Sequence, residues 1–426
     1  MILTIGALLG GFLIPALLGL PVFFSFLLGS LLAIWVDPVL TLDIAMSPFY
    51  YQLNNFPLLA IPLFMYAGKL MVAGKTTQKL VNFASIFLGR IPGYVGALTV
   101  VSSAFYGAVS GSAPATASAI GAMLAPEMKK AGYPRGYTGA VIAASGMLGM
   151  LIPPSVPFIL LGFSTGISVT DLFIAGIIPG ILMALMYVLW NVYFVKRSKL
   201  ALNDTVGSEL TSWQKFKGAI WAMMMPILVL GGIYSGIFTP TEAAAVSCVY
   251  AMFIGLVVYR GFNLKGLLQA TKEAAFEILT LMLGLVFIGI FIRIVTYSNV
   301  ASLIATFLTS VTSSTVLLLL LVNLFWLIWG MFMDPLAGVL LLGPLFYPLC
   351  VTFIGMNPIH YGTMMVVNLG LGVTTPPLAI NMYIGMRQSE ASISEIIKHL
   401  IPFIILGIVL ILLVTFIPEI SLVLVK

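Results

Sequence analysis

Long apolar runs follow one another from Met1 almost to Val425, and the polar residues between them fall in short clusters rather than alternating with them. A run of about 20 apolar residues is the length of helix that crosses a bilayer, whereas a barrel strand needs strict alternation. The pattern predicts spanning helices near 3–18, 20–35, 52–73, 172–195, 219–236, 242–259, 274–295 and 399–422. Lipid offers backbone N–H and C=O groups no partner, so each such run must satisfy its own as a helix. The chain reads as an all-α polytopic membrane protein.

Four places depart from this pattern. "GAVSGSAP" (107–114) sits inside the long segment from Ile91 to Lys130, and "GMFMDPLAG" (330–338) sits inside the segment from Ser313 to Cys350. Each segment is too long for a loop and begins and ends on one side. Each is therefore expected to be a re-entrant helical hairpin, at about 91–130 and 313–350, with its tip near the membrane midplane. The other two places are Pro-Pro breaks inside spans at 137–163 and 359–386, in "GMLGMLIPPSVPFILLG" and "LGLGVTTPPLAINMYIG".

These four are two copies of one pattern. Pro376-Pro377 lies 223 residues after Pro153-Pro154, and the same offset pairs Gly107 with Gly330, Gly132 with Gly355, Leu148 with Leu371, Gly149 with Gly372, Gly162 with Gly385 and Ser145 with Asn368. Charge gives the copies opposite orientations. Lys69, Lys75, Lys79, Arg90, Lys129, Lys130 and Arg135 flank the first hairpin, while the second hairpin's flanks "TYSNVASLIATFLTSVTSSTV" (296–316) and "CVTFIGMNPIHY" (350–361) hold no Lys or Arg. Because Lys and Arg stay on the cytoplasmic side, the repeats are inverted. The organisation expected is a first repeat over 1–195, a cytoplasmic linker over 196–217 and a second repeat over 218–426, with both termini periplasmic.

The low charge, 8% of residues against 61% hydrophobic, excludes an ordinary soluble protein, and the net charge of +6 sits in connections without a basic patch, which argues against nucleic acid. The first segment lacks a basic n-region and runs directly into further spans, so it reads as membrane helix rather than cleaved leader. Cys248, Cys350, His360 and His399 match no metal or redox spacing. No catalytic set, nucleotide-binding loop or ring of pore charges accompanies the spans, which disfavours an intramembrane enzyme, a primary pump and a channel.

Broken helices inside a membrane present free N–H groups at one end and free carbonyls at the other, attractive to anions and to cations respectively. Ser110, Ser112, Thr116 and Ser118 add hydroxyls near the first tip, with Ser145 and Ser155 around the first Pro-Pro break. The second copy offers Asp334, Asn368, Thr374, Thr375 and Asn381. Hard oxygens without His or Cys favour an alkali cation. Asp334 is the only acid expected at mid-membrane depth, where an unpaired carboxylate is costly; capping the helix that starts at Pro335 is its other reading. Arg293 near the outer end of its span either pairs with an anion or snorkels to the surface.

The motifs "FPLLAIPLFMYAGKLM", "SSAFYGAVSGSAPATASAIGAMLAPEM", "GMLGMLIPPSVPFILLG", "YSGIFTPTEAAAV", "GMFMDPLAGVLLLGPLFYPL" and "NLGLGVTTPPLAINMYIG" together resemble the large membrane subunit of tripartite ATP-independent periplasmic (TRAP) transporters. The resemblance covers nearly the whole chain. It implies an elevator of the ion-transporter superfamily kind in the bacterial inner membrane, driven by sodium ions and moving an organic acid. It also implies two partners, a small four-helix membrane subunit, expected as a separate chain, and a soluble periplasmic substrate-binding protein.

Carried over by position, the first sodium site falls on Ser110, Gly111, Ser112, Ser145, Gly146 and Gly149. The second falls on Gly330, Met333, Asn368, Gly370, Gly372 and Thr374. Ser112, Thr116, Ser155, Asp334, Thr375 and Asn381 are the candidate substrate contacts. Family substrates include C4-dicarboxylates and sialic acids, and the first apolar segments are more similar to the sialic acid members. A proton-coupled carrier titrating on Asp334 is the alternative.

Overall fold

The structure, a computed structural model, describes residues 2–41, 43, 47, 54–88, 91–198 and 211–425. Arg90, Lys199 and most of the expected 196–217 linker lie outside these residues. Among the described residues, eight helices are long and apolar enough to cross a membrane, or nine when the pair Arg135–Leu151 and Val156–Thr165, bent by 43°, is taken as one span.

Several helices are longer than hydropathy alone predicts, because polar caps and charged first turns extend them. The span expected at 274–295 belongs to a 34-residue helix, Leu264–Tyr297, started by the Asn263 side chain accepting from the Gly266 N–H. The one expected from 219 begins at Ser212, where Thr211 and Gln214 form a capping box. The last begins at Ile393 behind a Ser392/Glu395 box and ends at Phe416, with a separate short turn at Glu419–Leu422. Each box satisfies N–H groups that the first helical turn leaves orphaned.

The repeat is visible element by element. Tyr94–Ser110 and Ala113–Ala131 form the first hairpin; Thr315–Phe332 and Pro335–Tyr347 form the second. Thr76–Leu88 and Val300–Val311 are matching short helices before them, and Arg135–Gly146 matches Pro358–Gly372 after them. The peptides Pro153-Pro154 and Pro376-Pro377 are both cis.

Within the first hairpin the arms run antiparallel. The Gly96 N–H donates to the Tyr133 hydroxyl at 3.2 Å and the Thr99 hydroxyl reaches Met128 Sδ, so the start of one arm lies beside the end of the other. Ring contacts of Phe346 with Phe325 and Trp326 show the same return in the second hairpin. Length and hydropathy give each arm of the second hairpin the character of a full span. Its folding back is a matter of contact, not composition.

Two long helices show that the repeats are inverted. At the N-terminal end of Ile393–Phe416, Gly136 packs against the Glu395 backbone; at its C-terminal end, His360 Nε2 meets the Val414 carbonyl at 2.7 Å. A helix of 24 residues is roughly 36 Å long, so the entrances to the two broken helices lie at opposite faces of the protein. Helix Val169–Ser198 repeats this geometry: Asn191 binds the base of the first hairpin, and Leu172 packs on Gly362 of the second repeat.

Asn191 is fully buried; its Nδ2 donates to the Gly93 carbonyl at 2.8 Å and its Oδ1 accepts from the Tyr137 hydroxyl at 3.1 Å. Asn191→Leu is expected to remove both bonds at a cost of roughly 2–3 kcal/mol. The check is the thermal midpoint of the detergent-purified chain, which should fall by several degrees. At the same face, Lys129 bridges to Glu390 at 3.0 Å and holds that exposed carboxyl below its usual range, through the hydrogen bond first and the charges of Lys129 and Arg135 next.

Candidate functional site: two hairpin tips on one cavity

The sequence breaks each hairpin where the backbone is forced to turn. Gly111 ends the first arm at φ +62, and a Cβ there would lie 2.8 Å from the Pro154 carbonyl oxygen, so both conformation and space require glycine. Its own carbonyl accepts from the Val156 N–H at 3.1 Å, pinning the tip to the segment after the first Pro-Pro break. The second tip has a corresponding bond, from the Leu378 N–H to the Met331 carbonyl at 3.3 Å.

Each hairpin crosses its broken helix glycine on glycine. A Cβ on Gly107 would stand 2.8 Å from Gly149 Cα, and one on Gly330 would stand 3.0 Å from Gly372 Cα. These are the same two positions, 223 residues apart. The close approach sets the tip against the broken helix: at Gly149 an added Cβ would meet Thr116 Oγ1 at 2.2 Å and the Ser112 carbonyl oxygen at 2.6 Å.

Around the first tip, the Ser110 and Thr116 hydroxyls are bonded at 2.8 Å, and Ser112 caps the second arm by accepting from the Ala115 N–H. Gly146 lies by the Ala113 carbonyl oxygen. Ser145 is buried beside it, but its hydroxyl donates to the Val141 carbonyl at 2.7 Å. Thus Ser110, Gly111, Ser112, Thr116 and Gly149 converge, and Gly146 adjoins them one turn along the broken helix.

Around the second tip, Gly330 and Gly372 are in contact and Met333 is buried at the break. Asn368 is fully buried. Its Nδ2 donates to the Met364 carbonyl at 2.8 Å and to Asn323 Oδ1 at 2.7 Å; its Oδ1 has no partner. The direction of this network is fixed from outside. The Thr415 hydroxyl spends its proton on the Ile411 carbonyl, so it accepts from Asn323 Nδ2, which turns Asn323 Oδ1 toward Asn368. The Asn368 carbonyl oxygen is thereby aimed away from both of its own donors. A buried acceptor left open costs about 1–3 kcal/mol, so this oxygen is free to accept from a water or bind a cation.

Other candidates lie elsewhere. The Thr374 hydroxyl and Asn381 Nδ2 both donate to the Ala143 carbonyl, at 3.4 and 3.3 Å, stitching the second break to the first repeat's broken helix. Gly370 faces Met147 and Met150 of that helix rather than the second tip. Ser155 and Thr375 bond locally, to the Met150 and Leu371 carbonyls. Asn381 Oδ1, like Asn368 Oδ1, is buried without a partner.

The two tips share one cavity of about 460 Å³, lined by Ser110, Gly111 and Ser112 on one side and Asp334 and Leu336 on the other. Hairpins entering from opposite faces meet at one cavity only if each stops part-way through. Of the expected substrate contacts, Ser112 and Asp334 line it; Thr116, Ser155, Thr375 and Asn381 do not. Asp334 caps the arm that starts at Pro335, accepting from the Leu336 N–H at 2.8 Å, and is half-buried at the cavity wall.

Two charged residues of this wall lay outside the expected set. Lys69 was expected only as a flanking charge of the first hairpin and Glu277 not at all, yet both line the cavity, paired with each other. Asp334 is therefore not the only carboxylate there. Among the described residues no group of three or more His, Cys, Asp or Glu side chains is placed to hold a metal ion.

A model of the tripartite ATP-independent periplasmic transporter, DctM component, matches residues 9–420. The chain belongs to this TRAP family. It is 35% identical over 371 residues to the C4-dicarboxylate TRAP transporter large permease protein DctM of Pseudomonas aeruginosa, covering 87% of this chain and 86% of that one. It is 32% identical to the sialic acid TRAP transporter large permease protein SiaM of Vibrio cholerae, over 95% of each chain. A third TRAP relative, the isethionate permease protein DctMQ of Oleidesulfovibrio alaskensis, is 34% identical over 413 residues; the match takes in 97% of this chain but 65% of that longer protein. The fold is also that of the Alcanivorax borkumensis YdaH transporter, described as having an unusual topology, with a TM-score of 0.68 at 20% identity over 96% of this chain and 99% of that one. These TRAP relatives are named as transport permeases, not enzymes, and the chain is a multi-pass membrane component of such a system.

Proposed function

We propose that this chain is the large transport subunit of a sodium-coupled TRAP system that takes up an organic acid, a C4-dicarboxylate or a sialic acid such as N-acetylneuraminate. A soluble periplasmic binding protein delivers the acid, and a small four-helix membrane subunit accompanies the chain in the bacterial inner membrane, with both termini periplasmic. The observation that carries sodium coupling is the buried Asn368 side-chain oxygen, without a protein partner, oriented by Asn323 and Met364 and one helical turn before Gly372 of the Gly330–Gly372 crossing. The hydroxyl cluster of Ser110 and Thr116 at the Gly107–Gly149 crossing is its counterpart.

The mechanism follows from where charge is needed. Each tip gathers neutral oxygen donors, which suit a weakly charged hard cation. Two cations held there close the tips on their broken helices and offset the negative charge of the acid between them. Moving cations with the anion lowers the cost of carrying carboxylate charge through lipid. The hairpins and broken helices then slide as a unit against the scaffold helices.

The test is uptake by proteoliposomes holding the chain and its two partners, with radiolabelled succinate and N-acetylneuraminate as probes. An inward sodium gradient is expected to drive accumulation of one probe, and replacing sodium by potassium to abolish it. Undiminished uptake in potassium, or uptake driven by a pH gradient without sodium, overturns sodium coupling; the latter result assigns coupling to Asp334 instead.

A further inference from the structure

Lys69, on helix Ala60–Ala73, and Glu277, on Leu264–Tyr297, form an ion pair on the wall of the cavity shared by the tips. Holding these helices together is a poor account of the pair. Its side chains are 34% and 51% exposed, and a pair so solvated contributes about 0–1 kcal/mol. The same two helices are also joined by the Tyr66 and Thr271 hydroxyls at 2.7 Å.

Its electrostatic position is more telling. Among the described residues lining the cavity, Lys69 is the sole cation and faces two carboxylates, Glu277 and Asp334. A Cβ added at Gly68 would stand 3.6 Å from Ser110 Cα, so the helix that carries Lys69 packs on the first tip, and Lys69 lines the same cavity as Ser110, Gly111 and Ser112. An anion entering this wall meets net negative side-chain charge, and Lys69 is the one charged side chain among the described lining residues that can attract it, which requires the ammonium to turn from Glu277.

We propose that Lys69 is the scaffold's docking charge for the substrate carboxylate, and that Glu277 is a built-in competitor for it. This rests on the organic-acid transport reading above. On arrival the carboxylate accepts hydrogen bonds from Lys69 Nζ in place of Glu277; as the tip moves past, Glu277 reclaims the ammonium and the acid is released. No covalent bond changes. The exchange makes docking reversible, because the lysine never lacks a partner and the leaving anion is always replaced. Glu277 thus prevents a bare lysine from trapping the acid.

The experiment is the same reconstituted uptake, run on full-length Lys69→Gln, Lys69→Arg, Glu277→Gln and the exchange Lys69→Glu with Glu277→Lys. Lys69→Gln is expected to raise KM for the transported probe by about tenfold or more, the loss of one charge-assisted contact, while the sodium concentration for half-maximal rate stays within about twofold. Lys69→Arg is expected to recover most of that loss. Glu277→Gln is expected to lower KM and also kcat, because docking tightens and release slows. The exchanged pair restores attraction between the two helices but puts a carboxylate beside the first tip, so its KM is expected to stay as high as that of Lys69→Gln. Recovery of wild-type uptake by the exchanged pair would show that only helix-to-helix attraction matters and would overturn the proposal. Failure of the wild-type chain to take up either anion would instead overturn the transport reading beneath it.

Discussion

Gly149→Ala and Gly372→Ala are each expected to reduce uptake by about 100-fold or more. A methyl group at Gly149 would stand 2.6 Å from the Ser112 carbonyl oxygen and 2.2 Å from Thr116 Oγ1; one at Gly372 would stand 2.5 Å from Gly330 Cα. In both cases the neighbour includes backbone, which cannot rotate aside like the end of a flexible side chain, so hairpin and broken helix must separate. Catalytic and binding constellations displaced by about 1 Å lose about 100-fold, and the same scale applies to ion sites assembled from both elements. The measurement is initial uptake rate at saturating sodium, with Gly231→Ala as control. Gly231 sits in helix Ser212–Tyr234 with nothing within 4 Å of an added Cβ, so that variant is expected to match wild type. Normal uptake by both crossing variants would mean that the glycine contacts are packing without consequence for transport.

Asn368→Leu is expected to raise the half-saturating sodium concentration by well over about tenfold, because it replaces a buried side-chain oxygen without a protein partner near the second crossing with a methyl group of similar bulk. Asn323→Leu is expected to act in the same direction by about tenfold, although Asn323 is a positioning residue. Without its Oδ1, the Asn368 amide keeps only the bond to the Met364 carbonyl and loses one of the two that fix which of its ends faces the site. Sodium titrations of uptake at fixed substrate distinguish the two effects from general damage, since a merely destabilised protein loses maximal rate without a shift in sodium dependence. An Asn368→Leu protein with wild-type sodium dependence would remove this residue from the site.

The sequence carried the backbone plan further than the side-chain chemistry. Hairpins, Pro-Pro breaks and inverted repeats were legible because glycine and proline act locally: Gly107, Gly149, Gly330 and Gly372 mark crossings through the absence of a side chain, a property each residue has by itself. Helix starts were less legible. Leu264–Tyr297 begins ten residues before its apolar core because Lys265, Lys272 and Glu273 sit in helical turns that hydropathy discounts. The cavity wall was legible only at its tips. Nothing in the neighbourhood of Lys69 or Glu277 announces that they meet, since they are brought together from different repeats by the packing of their helices. The role of Asn323 depends on a hydrogen-bond direction set by Thr415, 92 residues away. Thr374 and Asn381 show the converse: side chains suited to one break are used to join it to the other repeat.

Sodium-coupled transport by this fold requires that the two crossings bind sodium. That requirement is tested most directly by calorimetric titration of sodium into the purified chain equilibrated in choline chloride. Saturable binding of two ions per chain is expected, one lost in Gly149→Ala and the other in Gly372→Ala, with potassium giving no heat beyond dilution. No saturable sodium binding by the wild-type chain, or undiminished binding in the double variant, would contradict it.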